Sequence, residues 1–405
     1  MNIGLPSQIT SDTEPPEGKP TFLLSVQVWN RGMGTRVTDV MNQMISKDVM
    51  KTAAAGAELA SGLVYLSSLD SGITRRHAKN GFLYYMPDGR RITDAAVITR
   101  LNALAIPPAY TDVIISTNPC SHLQAIGTDA RGRRQYRYHA DWHTERGKAK
   151  FERLVDFARC LPDLRERVDR DLRSRGLTMD KALATVVWML DNLYIRIGNT
   201  AYAEANRSYG LTTLRSSHVK VDGGSVRFRF RGKSGKEWNL SHSDRRIANV
   251  VRKLQELPGQ QLFQYVCDEG GRRPLSSQDV NGYIRELTGD DFSSKQFRTW
   301  GATCMAVAAL APVEAAPSDR AIATQLNEAI DRVAARLVNT RSVCRSSYIH
   351  PAVFDDFRAG KLRDVLQMKT KSERLLEWMD TEEIRVLRWL QKRAAVSDLG
   401  TVVRS

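Results

Sequence analysis

Along the first part of the chain, apolar positions come in short runs bounded by turn residues. LVYLS precedes GITRRHAKNGFLYYMPDGRRITD, in which Asn80-Gly81 and Asp88-Gly89 bracket FLYYM as hairpin turns bracket a strand. IPPAY, TDVIIS and HLQAIGTDARGRRQYRYHADW continue in this vein. The spacing predicts a small β-rich domain with a helix or two over residues 56–150. From there the period lengthens. KAKFERLVDFARCL and KALATVVWMLDNLYIRI carry apolar residues at i, i+3, i+4 and predict helices. One β interruption stands out, SVRFRFRGKSGKEWNLS at 225–241. RFRFR alternates strictly, Gly-Lys-Ser-Gly turns and EWNL continues, so the stretch reads as a hairpin with Lys233 at its tip. KSERLLEWMDTEEIRVLRWLQKRAAV (371–396) returns to helical spacing. The expected fold class is therefore α+β. A mostly helical domain is expected over 151–360 and a helical C-terminal segment over 361–405.

Residues 1–55 show little periodicity before TDVMNQMISKDVMKTAAAGAELA (38–60), which predicts a helix. That stretch is expected either as a flexible extension or as sequence preceding a start at Met41, Met44 or Met50.

Composition narrows the class. A chain of 405 residues exceeds what one core usually holds, so two domains are expected. Lys and Arg total 60 against 45 acidic residues, and the net charge of +15 favours a polyanionic partner, nucleic acid before a membrane surface. The five cysteines are widely spaced without a C-x-x-C pair, so neither a disulfide framework nor a zinc site is expected. Reduced thiols point to the cytosol. No apolar run approaches the ~18 residues that span a bilayer. FLLSVQVW (22–29) lacks the basic start and cleavage site of a secretory signal.

Two familiar signals fail. Gly232-Lys233-Ser234 ends like a phosphate loop, but the required upstream glycine is replaced by Arg227. The histidines, including His139 and His143, have no matching carboxylate cluster, so no metal is expected. RGRRQYRYH is more informative. It interleaves Arg131, Arg133, Arg134 and Arg137 with Tyr136 and Tyr138, and alternation puts the two tyrosines on one face. Arginine suits bidentate phosphate contacts and guanine edges, so this run is a nucleic-acid contact candidate.

Five polar residues interrupt the helical half. Arg196 closes an apolar helix before Gly198, Lys233 tips the hairpin, and Arg298 sits between Phe297 and Trp300. Asn339 and Tyr348 follow. Together they make a parts list for phosphodiester transesterification. A phenol has a pKa of about 10 and needs cationic neighbours to attack as an oxyanion. Two guanidiniums and an amide can hold the added charge of a pentacoordinate phosphorus, each donor typically worth on the order of 10² or more in rate. A lysine can protonate the leaving 5′ oxygen. His350-Pro351 is expected to fix the chain just beyond the tyrosine.

At these residues the sequence resembles the type IB DNA topoisomerases, in their compact bacterial and poxvirus branch. RIGNTAYAEANRSYGLTTLRSSHV, RFRFRGKSGK, KQFRTWGAT and SYIHPAV look like that family's successive motifs. GITRRHAKNGFLYYMPDGRRI, LAIPPAYTDV and QAIGTDARGRRQYRYH look like its N-terminal domain. The resemblance runs from about 60 to at least 360. It implies transition-state arginines at Arg196 and Arg298, a general acid at Lys233 and a nucleophile at Tyr348. Asn339 stands where eukaryotic and poxvirus members carry histidine, and its role would be electrostatic. Arg75, Arg76 and Lys295 join the expected DNA contacts. The implied fold is a two-domain C-shaped clamp around duplex DNA, acting as a monomer without ATP or metal, in the bacterial cytoplasm at the nucleoid. The implied activity is relaxation of supercoiled DNA through a 3′-phosphotyrosyl intermediate. A tyrosine recombinase, which typically carries His-x-x-Arg where this chain has Lys295-Gln-Phe-Arg298, and a non-catalytic DNA-binding protein are the alternatives.

Overall fold

The computed structural model describes residues 62–79, 81–142, 150–267 and 270–402, without the side chains of 396–402. The 1–55 extension, the 38–60 helix, the alternative starts, FLLSVQVW, Asn80 and His143 lie outside the described residues.

The alternating runs of the first part form one antiparallel sheet. Its strands are β1 (Ile73–Ala78), β2 (Gly81–Tyr85), β3 (Thr111–Ile115), β4 (Leu123–Thr128) and β5 (Arg134–Tyr138), in the order β2-β1-β3-β4-β5. Helix α1 (Ala95–Ala103) begins at Asp94, whose carboxylate accepts from the Ala96 and Val97 N–H groups. Its Leu101 packs with Ile73, Tyr84, Val113, Ile115 and Ala125 in a small core. FLYYM is paired as β2, and β5 carries RGRRQYRYH to the sheet edge. A bulge between Leu123 and Ala125 shifts the β4–β5 register.

The second part is built on α2 (Leu154–Arg173) and α3 (Met179–Leu193). α4 (Thr200–Asn206) precedes a three-stranded sheet of β6 (Val219–Asp222), β7 (Ser225–Arg231) and β8 (Glu237–Ser243). The RFRFR alternation works as pattern predicts. Phe228 and Phe230 are buried while Arg227, Arg229 and Arg231 face out. Each buried ring is worth about 1.5–3 kcal/mol and fixes the hairpin register, since a one-residue slip would exchange rings for guanidiniums. α5 (Arg245–Glu256) follows, then the short pair β9 (Gln264–Val266) and β10 (Arg272–Pro274). After these come α6 (Ser277–Thr288), α7 (Ser294–Leu310), α8 (Asp319–Leu337), α9 (Arg341–Ser347) and α10 (Ala352–Arg358). The chain ends with α11 (Glu373–Trp378) and α12 (Thr381–Val402).

Two helix limits depart from periodicity. KALATVVWMLDNLYIRI stops at Leu193, because Tyr194 turns left-handed at φ 57° and its carbonyl is taken by Arg298. Arg196 therefore lies beyond the helix, in extended chain. The 371–396 run is two helices. Asp380 accepts from Glu383 N–H at 2.8 Å, while Glu383 accepts from Asp380 N–H at 3.2 Å, which opens a new helix.

One large core joins these elements, and Leu362, Ile384, Leu387 and Trp389 of the C-terminal segment belong to it. Glu383 accepts from Arg165 of α2 and, at 2.8 Å, from Trp300 of α7. Arg165 also grips Asp191 of α3. Among the described residues, no helix is long and apolar enough to cross a membrane.

Candidate active site

Helix α9 delivers Tyr348. The helix ends there: Tyr348 N–H donates to the Cys344 carbonyl at 3.0 Å while its φ of −128° leaves helical geometry. Just beyond, the His350 N–H donates to the Thr303 hydroxyl of α7 at 3.2 Å. His350 Nδ1 accepts from Ala352 N–H as the chain enters α10. Burial, reinforced by Arg393, pushes the His350 imidazole down to about 4, so it is neutral at physiological pH. His350 is thus a fixing residue and not a proton donor there.

The Tyr348 phenol lies in the fields of Arg298 and Arg196, and the Arg298 guanidinium carbon is 4.9 Å from the ring centroid. Burial by itself raises the phenol. The fields of Arg298, then Arg196, outweigh it and leave the group below its ordinary value. The two cations thus favour the phenolate.

Arg298 is 3% exposed. It donates to the Tyr194 carbonyl, and to the Leu337 carbonyl at 3.0 Å, where α3 and α8 end. Burial, helped by repulsion from Arg196, brings it down to about 10, still charged at neutral pH. Its Nε is buried without a partner. Two residues beyond Leu337, Asn339 is placed by the left-handed turn at Val338 (φ 47°). Its Oδ1 accepts from Thr340 N–H, while its Nδ2 is buried and unpartnered. Two buried N–H donors that a protein would normally satisfy, Arg298 Nε and Asn339 Nδ2, are thus left open.

Arg196 is held by close backbone packing. Leu211 N–H donates to the Arg196 carbonyl at 2.8 Å and Thr212 N–H to Ile197 at 2.7 Å. A Cβ on Gly210 would lie 2.6 Å from the Arg196 carbonyl oxygen, so only glycine permits this approach. Lys233 is exposed at the hairpin tip, where Ser234 (φ 61°) and Gly235 (φ 74°) make the turn. It has no hydrogen bond to the cluster among the described residues. Lys236, three positions on, acts electrostatically on the Cys344 thiol. Burial raises the Cys344 thiol, against Arg298, Arg196 and Lys236.

The candidate DNA contacts divide by partner. Arg75 donates to the carbonyls of Ile106 and Pro107 at 2.9 and 2.6 Å and lies over the Phe82 ring, so it staples the IPPAY bend. Arg133 is paired with Asp129 at 2.8 Å, and Arg137 donates to the Leu104 carbonyl. Arg131 and Arg134 are exposed without a side-chain partner among the described residues. Arg76 is exposed over Tyr85. Tyr136 is 51% exposed on β5, its ring 6.3 Å from that of Tyr138. Lys295 is exposed on α7, one turn before Arg298. Sequence reasoning missed Tyr194, Thr303, Lys236 and Lys150, whose ammonium lies 5.3 Å from the Tyr348 ring centroid. Only Lys236 carried a signal, as the second lysine of GKSGK.

Comparison with known proteins gives concordant matches. The family described as eukaryotic DNA topoisomerase I, catalytic core, matches residues 139–375. The family described as bacterial DNA topoisomerase IB, N-terminal domain, matches 81–129. The DNA topoisomerase 1B of Acanthamoeba polyphaga mimivirus is 34% identical over 288 residues, 69% of this chain and 86% of that protein. DNA topoisomerase 1B of Vaccinia virus (strain Copenhagen) is 23% identical over 50% of this chain and 62% of its own length. DNA topoisomerase 1 of Mycosarcoma maydis is 23% identical over 42% of this chain and 19% of its own length.

Proposed function

The chain belongs to the type IB DNA topoisomerases, and from that premise we propose that Tyr348 is the nucleophile that opens one strand of duplex DNA. The observation that carries this is the half-buried Tyr348 ring with the Arg298 guanidinium 4.9 Å from its centroid and its phenol held below its ordinary pKa by Arg298 and Arg196. In the proposed reaction the Tyr348 oxygen, its proton released to solvent, bonds to the scissile phosphorus. The bond from phosphorus to the 5′ oxygen breaks, and that oxygen takes a proton from Lys233. Arg196, Arg298 Nε and Asn339 Nδ2 donate to the non-bridging oxygens as charge builds. The product is a 3′-phosphotyrosyl link and a free 5′-hydroxyl. Supercoils relax by rotation of the free end. The 5′-hydroxyl then returns its proton to Lys233, attacks the phosphorus and releases Tyr348. The phosphotyrosine keeps the bond energy, so resealing draws on no ATP, and the cations in the site supply charge that a metal would otherwise bring.

We further propose that the chain acts as a monomer clamping supercoiled duplex DNA at the nucleoid. Residues 56–150 would face one side of the duplex and 151–360 the other, with 361–405 supporting the second from behind. Arg131, Arg134, Arg76 and Lys295 contact the backbone in this reading, and Tyr136 and Tyr138 lie along the same strand. Arg133, Arg137 and Arg75 shape the surfaces that carry them.

The test uses a supercoiled plasmid without any special site, in EDTA. Wild type is expected to relax it and, on denaturation, to yield a DNA adduct mapping to Tyr348. Tyr348→Phe is expected to bind DNA normally with adduct and relaxation both lost. Failure to relax in EDTA, or an adduct on another residue, overturns the proposal.

A further inference from the structure

Lys150 follows directly on the 143–149 connection between the β-rich and helical parts. Its ammonium donates to the carbonyl of Ser347, the last residue of α9. It lies 4.9 Å from the centroid of the Phe151 ring and 5.3 Å from that of Tyr348. A carbonyl at a helix end needs a partner, and any donor could satisfy it. A lysine chosen only for that task would keep its charge in water. This one is half-buried, its ammonium set against two aromatic rings. Burial, with repulsion from Lys295 of α7, brings its ammonium down to about 8. The charge is kept, at a desolvation cost, against the face of an aromatic ring.

We propose that Lys150 is a positioning residue for the nucleophile: its ammonium fixes the Ser347–Tyr348 junction and adds a third positive charge to those of Arg298 and Arg196 around the phenol. It acts through Tyr348 and not on DNA. The inference rests on Tyr348 being the nucleophile.

The groups around the pair are few. Arg298 of α7 and Arg196 of the segment after α3 act on the phenol, the Cys344 thiol of α9 feels the same two cations and Lys236, and Lys295 acts on Lys150. His350, beside Phe151, stays neutral above about pH 4. An ammonium that titrates near 8 helps the phenolate below that pH and loses its effect above it. A plain structural cap has no such dependence.

The experiment is single-turnover adduct formation by full-length protein on duplex DNA, from about pH 6.5 to 9.5, for wild type, Lys150→Met and Lys150→Arg. Lys150→Met is expected to be about tenfold slower at neutral pH, since one pKa unit is one decade, and to approach wild type above pH ~8.5, where the wild-type ammonium is also lost. Lys150→Arg keeps its charge and is expected to match wild type at neutral pH and exceed it at the alkaline end. A Met-to-wild-type ratio that is constant with pH, or equal to one throughout, overturns the inference. Should Lys150→Met fail to fold by thermal melt, the Arg-to-wild-type ratio decides alone, and a flat ratio overturns it. An adduct mapping away from Tyr348 in wild type would sink the proposed nucleophile instead. A Tyr348 adduct with flat ratios sinks only the role of Lys150.

Discussion

Arg298 and Lys233 carry the same formal charge at opposite depths, and depth separates what each can do. Arg298 is 3% exposed and anchored on two carbonyls. It can stabilise charge at one fixed point but cannot travel with a leaving group. Lys233 is exposed on a turn of left-handed residues, free to reach a departing oxygen. Lysine can also give up its proton, which arginine in proteins does not readily do. Lys233→Ala is therefore expected to slow adduct formation by about 10² or more on ordinary DNA. On a substrate whose 5′ bridging oxygen is replaced by sulfur, the leaving group needs no proton, and the variant should regain most of the wild-type rate. Arg298→Ala should gain no such relief, because its deficit lies in the charge on phosphorus. If sulfur substitution does not restore Lys233→Ala in single-turnover assays, the general-acid role is wrong.

At the scale of elements, α7 organises the site from one face. Its start is secured by Ser293 N–H donating to Gln296 Oε1 at 3.0 Å, and its next turns carry Lys295, Arg298 and Thr303. Gly301 lies on the same helix. A Cβ there would come within 2.2 Å of the Tyr194 ring, a stiff group that cannot swing aside as a flexible chain end would. Tyr194 is also the residue whose carbonyl holds Arg298. Gly301→Ala is thus expected to cost about 1–3 kcal/mol by overpacking, and to slow adduct formation while leaving DNA affinity near wild type. Thermal melts and single-turnover cleavage check this. An unchanged melting temperature with an unchanged rate would show that the ring is not pinned by the glycine. The element scale also shows why some of the site was legible in sequence. Phe228 and Phe230 alternate with arginines, so the hairpin and its lysine tip could be read directly. The MDTEE capping signal at Asp380 was equally readable, but helical spacing on both sides masked it. Tyr194 left no local trace. A tyrosine at positive φ is set by what packs on it, and that partner is more than a hundred positions away. Lys150 and Ser347 are 197 positions apart, and periodicity within either segment carries no information about their meeting.

Across the whole molecule the net charge of +15 says that DNA binding will be strongly salt-dependent, but not which cations contribute. The structure sorts them by what they already hold. Asp129 is kept down to about 2, first by its hydrogen bond from Arg133, and that guanidinium closes the β4–β5 turn. To reach a phosphate, Arg133 would have to leave this partner. Arg134, on the next position, has no such partner among the described residues and is exposed at the sheet edge. Each lysine or arginine that neutralises a phosphate releases condensed counterion, which appears as about one unit in the slope of log affinity against log salt. Arg134→Ala is therefore expected to lower that slope by about one, with no change in melting temperature. Arg133→Ala is expected to change the slope less and to speed amide exchange through residues 129–133, because its loss frees the turn. Titrations of the Tyr348→Phe protein on a duplex of random sequence, at several salt concentrations, measure the slopes without cleavage. A full unit lost from Arg133→Ala and none from Arg134→Ala would mean that the Asp129 pair opens on DNA and that β5 meets the duplex through its turn and not along its edge.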